Sequence, residues 1–324
     1  MTTRRDILKT GLAGSAAFGL GLPFGSAYAQ ALTSLDVFVP AAPGGGWDQT
    51  GRAIENALRT DGILSEFKFE HAPGAGGMTG LPKFLNGKKG QANALMVGGM
   101  VMVGAAIANK SPISIADVTP VARLTGEAEV IVVPAESPFK TMNDLVAQLK
   151  KDPKSVSWAG GSAGGTDHIF AAMIAKAVGV DPRAVAYIAY AGGGPAQAAL
   201  LGNQVSAGVS GYGEFEEQIK AGKLRAIAIS SEKSYKGTPS LKEQGIDVVL
   251  YNWRGVFGAP GITPAQRDAL VALMDKMVAG KTWQSTLETK GWDGIYLSGD
   301  KFGAFVKQDI ANVTTMLQGL GLAT

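Results

Sequence analysis

The strongest constraint in this sequence is a device that occurs four times: a glycine cluster set between an apolar, strand-like run and a helix-like segment. The clusters fall at residues 43–48, 73–80, 159–168 and 190–197. Glycine adopts backbone angles closed to other residues, so each cluster can turn the chain sharply out of a strand and into a helix. In the first, residues 35–39 form the strand and Gly44, Gly45 and Gly46 the turn. Asp48 then caps a helix with apolar positions at Ile54, Ala57 and Leu58. A helix starting at such a turn aims unpaired N–H groups and the positive end of its dipole at one spot, which suits an anion. Glycine supplies 45 of 324 residues with no fixed period, so the clusters are repeated turns and not a low-complexity tract.

Strand and helix patterns alternate almost to the end of the chain. Strands are predicted at 68–71, 94–97, 121–125, 130–133, 157–159, 185–189, 205–209, 224–230, 248–251 and 255–257. Helices are predicted between them, including one capped by Thr141 and one with Pro195 in its first turn. This order predicts an α/β fold with mostly parallel sheets. Ligands of such sheets sit beyond the carboxyl ends of the strands, and all four glycine clusters follow strands. One long sheet cannot easily bring residues 44–46 and 192–194 together, whereas two lobes closing on a cleft can. Crossings near Gly126 and Ile227 would make residues 30–126 the first part of lobe I, 127–227 lobe II and 228–324 the rest of lobe I.

Residues 1–29 read as an export signal. Arg4, Arg5, Ile7 and Lys9 resemble a twin-arginine motif, an apolar stretch follows at 11–24, and cleavage is expected after about Ala29. A Sec signal is the alternative, and either route places the protein in the periplasm. That apolar stretch is too short for a membrane span. Without residues 1–29 the net charge is near +1, which gives no electrostatic case for nucleic acid or a membrane surface. There is no cysteine, and two isolated histidines without a carboxylate cluster make no metal site.

Gly160-Gly161-Ser162-Ala163-Gly164 fits the nucleophile elbow, so an exported serine hydrolase using Ser162 is one reading. Its base would have to be His168, only six residues on, or His71, upstream and out of the expected order. The other reading is an anion-binding loop with Ser162 and Thr166 as hydroxyl donors, and no catalytic residue is assigned. The run from Gly74 to Gly80 misses the dinucleotide spacing, and no cofactor is implied. Asp48 and Asp167 read as caps before ligand contacts. Trp47 either walls a pocket or packs, and His168 either donates to a carboxylate or packs. Arg254 is either a carboxylate clamp or half of an internal ion pair. Residues 214–223 read as solvated helix surface, and Met96, Met100 and Met102 as core.

Taken together, Pro43-Gly-Gly-Gly-Trp-Asp48, Pro73-Gly-Ala-Gly-Gly77, the run from Trp158 to His168, Tyr190-Ala-Gly-Gly-Gly-Pro195, Asn252-Trp-Arg-Gly-Val256 and Ala259-Pro-Gly-Ile-Thr-Pro264 resemble the receptors of tripartite tricarboxylate transporters. These Bug receptors supply the motifs in the same order, and Trp47 and Trp253 resemble their tricarboxylate-type branch. The resemblance implies a two-lobed, type II-like periplasmic binding fold with the ligand in the cleft between lobes. It implies a small organic carboxylate as ligand (a tricarboxylate such as citrate, or a dicarboxylate) and delivery to one large and one small membrane subunit. A sensor kinase is the alternative partner, and the receptor is expected to be a monomer. Carried onto this chain, the resemblance points to Gly44, Gly45 and Gly46 in lobe I. In lobe II it points to Ser162, Ala163, Gly164, Thr166, Gly192, Gly193 and Gly194. Trp47, Asp48, His168 and Arg254 complete the candidate set.

Overall fold

The computed structural model describes residues 32–323; the expected export signal lies outside them. The first lobe opens with β1 (Ser34–Val39), α1 (Gly46–Thr60), β2 (Glu66–His71), α2 (Leu81–Gly87), β3 (Ala94–Gly99) and α3 (Met100–Ala108), with β2 and β3 parallel to β1 on either side. β4 (Thr119–Pro134) then leaves this lobe. The second lobe contains α4 (Met142–Lys151), β5 (Ser157–Gly160), α5 (Thr166–Ala177), β6 (Ala186–Ala189), α6 (Gly193–Leu201), β7 (Ala207–Gly211), α7 (Tyr212–Lys220) and β8 (Leu224–Ile229). The chain returns on β9 (Tyr251–Gly258) and finishes with α8 (Pro264–Val278), α9 (Lys281–Lys290), β10 (Leu297–Ser298) and α10 (Gly299–Gly319).

The sheets are mixed, where the sequence predicts mostly parallel ones. Parallel pairing is confined to β1 with β2 and β3, and to β5 with β6 and β7. β9 runs antiparallel to β3 and β4, and β4 runs antiparallel to β7, β8 and β10. The reason is geometric: a strand leaving one lobe and a strand returning to it, laid side by side, must run in opposite directions.

β4 is a single strand where the sequence pattern breaks into two. It pairs with β9 as far as Ala128 and with β7 from Glu129, so one uninterrupted strand passes through both lobes. The predicted strands 121–125 and 130–133 leave out Gly126, Glu127 and Glu129, and carboxylates in a central strand are costly to bury. Here they are buried all the same, at 2% and 0% exposure for Glu127 and Glu129. β9 likewise continues through Asn252, Trp253 and Arg254, all buried. β8, which contains Ile227, pairs along its length with Val130–Pro134, so the return to the first lobe is made by residues 230–250 and not at Ile227.

The C-terminal helix closes the first lobe. α10 buries Phe302, Val306, Val313 and Leu317, a spacing that keeps one face on the core. Phe302 stands 5.2 Å from the Phe257 ring and 6.0 Å from that of Trp253, both on β9. Met96, Met100 and Met102 are buried in this same core. Phe302→Ala should therefore lower unfolding free energy by about 3–5 kcal/mol, read from denaturant melts.

Candidate ligand-binding site

The turn into α1 is built from its own side chains. Gly44 has φ +82°, Gly45 is the N-cap with φ −72° and ψ 169°, and the helix starts at Gly46. Asp48, in the first helical turn, reaches back so that its Oδ2 accepts from the Gly44 N–H at 2.8 Å. Its Oδ1 meets His71 Nε2 at 2.7 Å, and Arg52 lies 3.6 Å away. Burial pushes the Asp48 carboxyl up, but the Gly44 N–H, His71 and Arg52 together hold it below its usual value.

The turn into α5 repeats this geometry with different chemistry. Gly164 has φ +75°, the N-cap Gly165 has φ −75° and ψ 178°, and the helix starts at Thr166. The residue matching Asp48 is His168, whose Nδ1 accepts from the Gly164 N–H at 3.1 Å. Its ring stacks on Tyr187 at 4.3 Å, and burial pushes its pKa down to about 4, so the imidazole is neutral with Nδ1 free to accept. Asp167 pins the other end of the loop, accepting from the Gly161 N–H at 2.6 Å. Tyr187 donates its hydroxyl to the Gly161 carbonyl at 2.8 Å.

These turns meet at a cavity of about 240 Å³ between the lobes. Gly44, Gly45, Gly46 and Trp47 line one side, Ser162 and Thr166 another, and Gly192, Gly193 and Gly194 at the start of α6 a third. Arg254 and Asn252 on β9 form part of its floor. The Thr166 hydroxyl is fully buried and has no hydrogen-bond partner. Behind it, α3 touches the second lobe backbone to backbone. A Cβ on Gly104 would overlap the Gly164 carbonyl oxygen, and one on Gly165 would come within 3.2 Å of Val101 Cγ1. Glycine in a helix interior costs up to about 1 kcal/mol against alanine, so Gly104 is there for the close approach.

The floor is unusually acidic. Arg254, 2% exposed, pairs with Glu127 Oε2 and lies 3.9 Å from Glu214 Oε1. It also faces the Trp292 ring at 5.5 Å. Glu127 additionally accepts from the Gly213 N–H at 3.1 Å, which ties it to the start of α7. Neither carboxyl oxygen of Glu129 has a partner, and burial, then Asp167 and Glu127, push its pKa well above the usual range. Burial likewise raises Asp167 to about 6 and Glu214 to about 7, against the pull of Arg254.

The structure therefore sorts the candidate residues. Gly44, Gly45, Gly46, Trp47, Ser162, Thr166, Gly192, Gly193, Gly194 and Arg254 line the cavity, whereas Asp48, Ala163, Gly164 and His168 do not. Asp48 and His168 serve the turns, and Arg254 is held in an internal ion pair. Neither histidine is placed as a base for Ser162, since His71 meets Asp48 and His168 meets the Gly164 N–H. Among the described residues no group of three or more acidic or histidine side chains could hold a metal ion, and no helix is long and apolar enough to cross a membrane. Glu214, expected on a solvated face, instead lines the cavity. Its side chain is 12% exposed. Glu127, Glu129, Ser210 and Asn252 were not visible as site residues. The nearest sequence signal is the glycine pair 211 and 213 flanking the start of α7, which makes room for the Glu127 carboxylate.

A cleft between two lobes joined by crossing strands, with helix N-termini facing into it, defines a solute-binding protein of the periplasmic type. The chain belongs to the tripartite tricarboxylate transporter family of receptors (TctC), which residues 68–322 match. It is 25% identical over 283 residues to BugT of Bordetella pertussis, covering 85% of this chain and 86% of that protein. A protein from the gbd 5′ region of Cupriavidus necator is 26% identical over 210 residues, which span 64% of this chain and 63% of that one. Among solved structures, periplasmic binding protein BugD shares the fold with a TM-score of 0.80 at 21% identity, over 90% of this chain and 98% of that one. MatC from Rhodopseudomonas palustris with bound malate does so with a TM-score of 0.76 at 20% identity, over 88% and 99%.

Two outcomes follow from this geometry. Gly104→Val should force α3 and the turn before α5 apart, weaken ligand binding at least about tenfold in calorimetric titration and lower the ligand-free melting temperature. The second concerns pH. A carboxyl raised by burial binds more protons folded than unfolded between its two pKa values, so stability falls as pH rises through that window and is level above it. For Glu214 the window runs from 4.5 to about 7. Relative to the native protein, Glu214→Gln should therefore gain about 3 kcal/mol progressively across that range and hold that gain, without adding to it, at higher pH, measured by scanning calorimetry. His168, buried neutral, acts with the opposite sign but is common to both proteins.

Proposed function

We propose that this protein is a periplasmic receptor, acting as a monomer without catalysis, that captures a small organic carboxylate and delivers it to the membrane subunits of a tripartite tricarboxylate transporter. The observation that carries the reading is the start of α5. There a buried, unpartnered Thr166 hydroxyl stands at the cavity wall on the first residue of a helix, the end whose N–H groups have no acceptor within the helix. A fully buried hydroxyl without a partner costs stability unless something completes it, and a carboxylate oxygen at a helix N-terminus does so. Ser162, on the same wall, supplies a second hydroxyl. Closure excludes water from these bonds and strengthens them. Family membership and the malate held by the structurally similar MatC support an organic acid as the ligand class. Citrate and dicarboxylates remain within that class. Yet Arg254 and His168, the two side chains that recommend several carboxylates, are engaged elsewhere.

A thermal-shift screen of the chain from Gln30 onward should give a rise in midpoint with a carboxylate and none with its amide. Thr166→Val separates a ligand role from a structural one. The variant should be as stable as the native protein or more stable without ligand, yet bind the identified acid about tenfold more weakly. Equal loss of stability and affinity would make Thr166 structural.

A further inference from the structure

We propose that the far end of the cleft selects an ammonium group, so that the ligand is an amino acid and not a di- or tricarboxylate lacking an amino group; this rests on the carboxylate site at α5 proposed above. Glu214 enters the cavity from the first turn of α7. Its carboxyl lies against Gly46 and Gly193, where a Cβ on either glycine would collide with it. The start of α6 thus already faces an acid of the protein's own, and at the start of α1 glycine makes room for the Arg254 guanidinium and, beside it, the Glu214 carboxyl. The start of α5 is left free for the ligand's carboxylate.

What surrounds Glu214 is short of positive charge. Arg254 is the one basic residue among the described residues that line the cavity, and it is taken by Glu127. Glu127 and Glu129 on β4 and Asp167 on α5 add three more buried acids around it. Independently, Asn252 Oδ1 is buried at the cavity floor with no donor to satisfy it, its residue 6% exposed. Asn252 Oδ1 has no donor and Glu214 shares with Glu127 the one guanidinium beside it, so the two call for a group that brings N–H donors and positive charge. A second ligand carboxylate would meet Glu214 and Asn252 Oδ1, and like charges there repel.

Calorimetric titration of the chain from Gln30 onward with matched pairs tests this: aspartate against succinate, glutamate against glutarate, 4-aminobutyrate against butyrate, and alanine against propionate, with malate and citrate alongside. At least one amino-bearing member should bind tenfold or more tightly than its partner and than malate or citrate. Glu214→Gln should weaken that amino acid at least tenfold while leaving its des-amino partner unchanged or tighter. Tighter binding of a di- or tricarboxylate lacking an amino group by the native protein, or an amino acid affinity indifferent to Glu214→Gln in a variant that melts normally, overturns the inference and leaves the receptor reading intact. Binding of neither set overturns both. The native protein's preference within each pair decides the matter even if the variant fails to fold.

Discussion

The buried pair of Arg254 with Glu127 joins the two strands on which everything else hangs. β4 leaves the first lobe and β9 returns to it, and the pair sits where these antiparallel strands pass beneath the cleft. Taking both charges out of water is expensive, and an apolar pair of similar size would serve stability at least as well. What the charges supply is placement. Glu127 also receives the Gly213 N–H, so one carboxylate fixes β9 from the first lobe and the start of α7 from the second. The guanidinium in turn lies close to Glu214 and faces Trp292, which ties the floor of the cleft to the segment after α9.

On that frame the two glycine turns at α1 and α5 are built by one rule. A glycine with positive φ is followed by a glycine N-cap, and the side chain three residues beyond the cap returns to hold the first glycine's N–H. Aspartate does this in one lobe and neutral histidine in the other. The histidine can accept only while unprotonated, and its burial against Tyr187 keeps it so. In each lobe the turn into the helix is thereby held by a side chain of that same helix.

Much of the layout could be read in the sequence because it is local. Strand runs ending in glycine, Thr141 as a cap and Pro264 opening a helix each announce themselves within a few residues, and the structure has a cap at Thr141 and α8 over Pro264–Val278. The glycine turns were likewise visible, and most of their residues do line the cavity. What was hidden is what depends on distant partners. Asp48 reads as a helix cap and His168 as either a carboxylate donor or a packing residue, until the N–H each one holds is seen. Glu127, Glu129 and Glu214 resemble a strand break and a wet helix face, because nothing near them in sequence says that Arg254, more than a hundred residues further along for two of them, will be set among them. Polar residues buried by tertiary contact violate the very pattern from which burial is read.

Where α3 meets the turn before α5, the lobes touch through Gly104 and the Gly164 carbonyl, with no side chain between them. A seam made of backbone has one shape whatever occupies the cavity. Side chains elsewhere around the cleft can then change without altering the distance at which these two backbones meet.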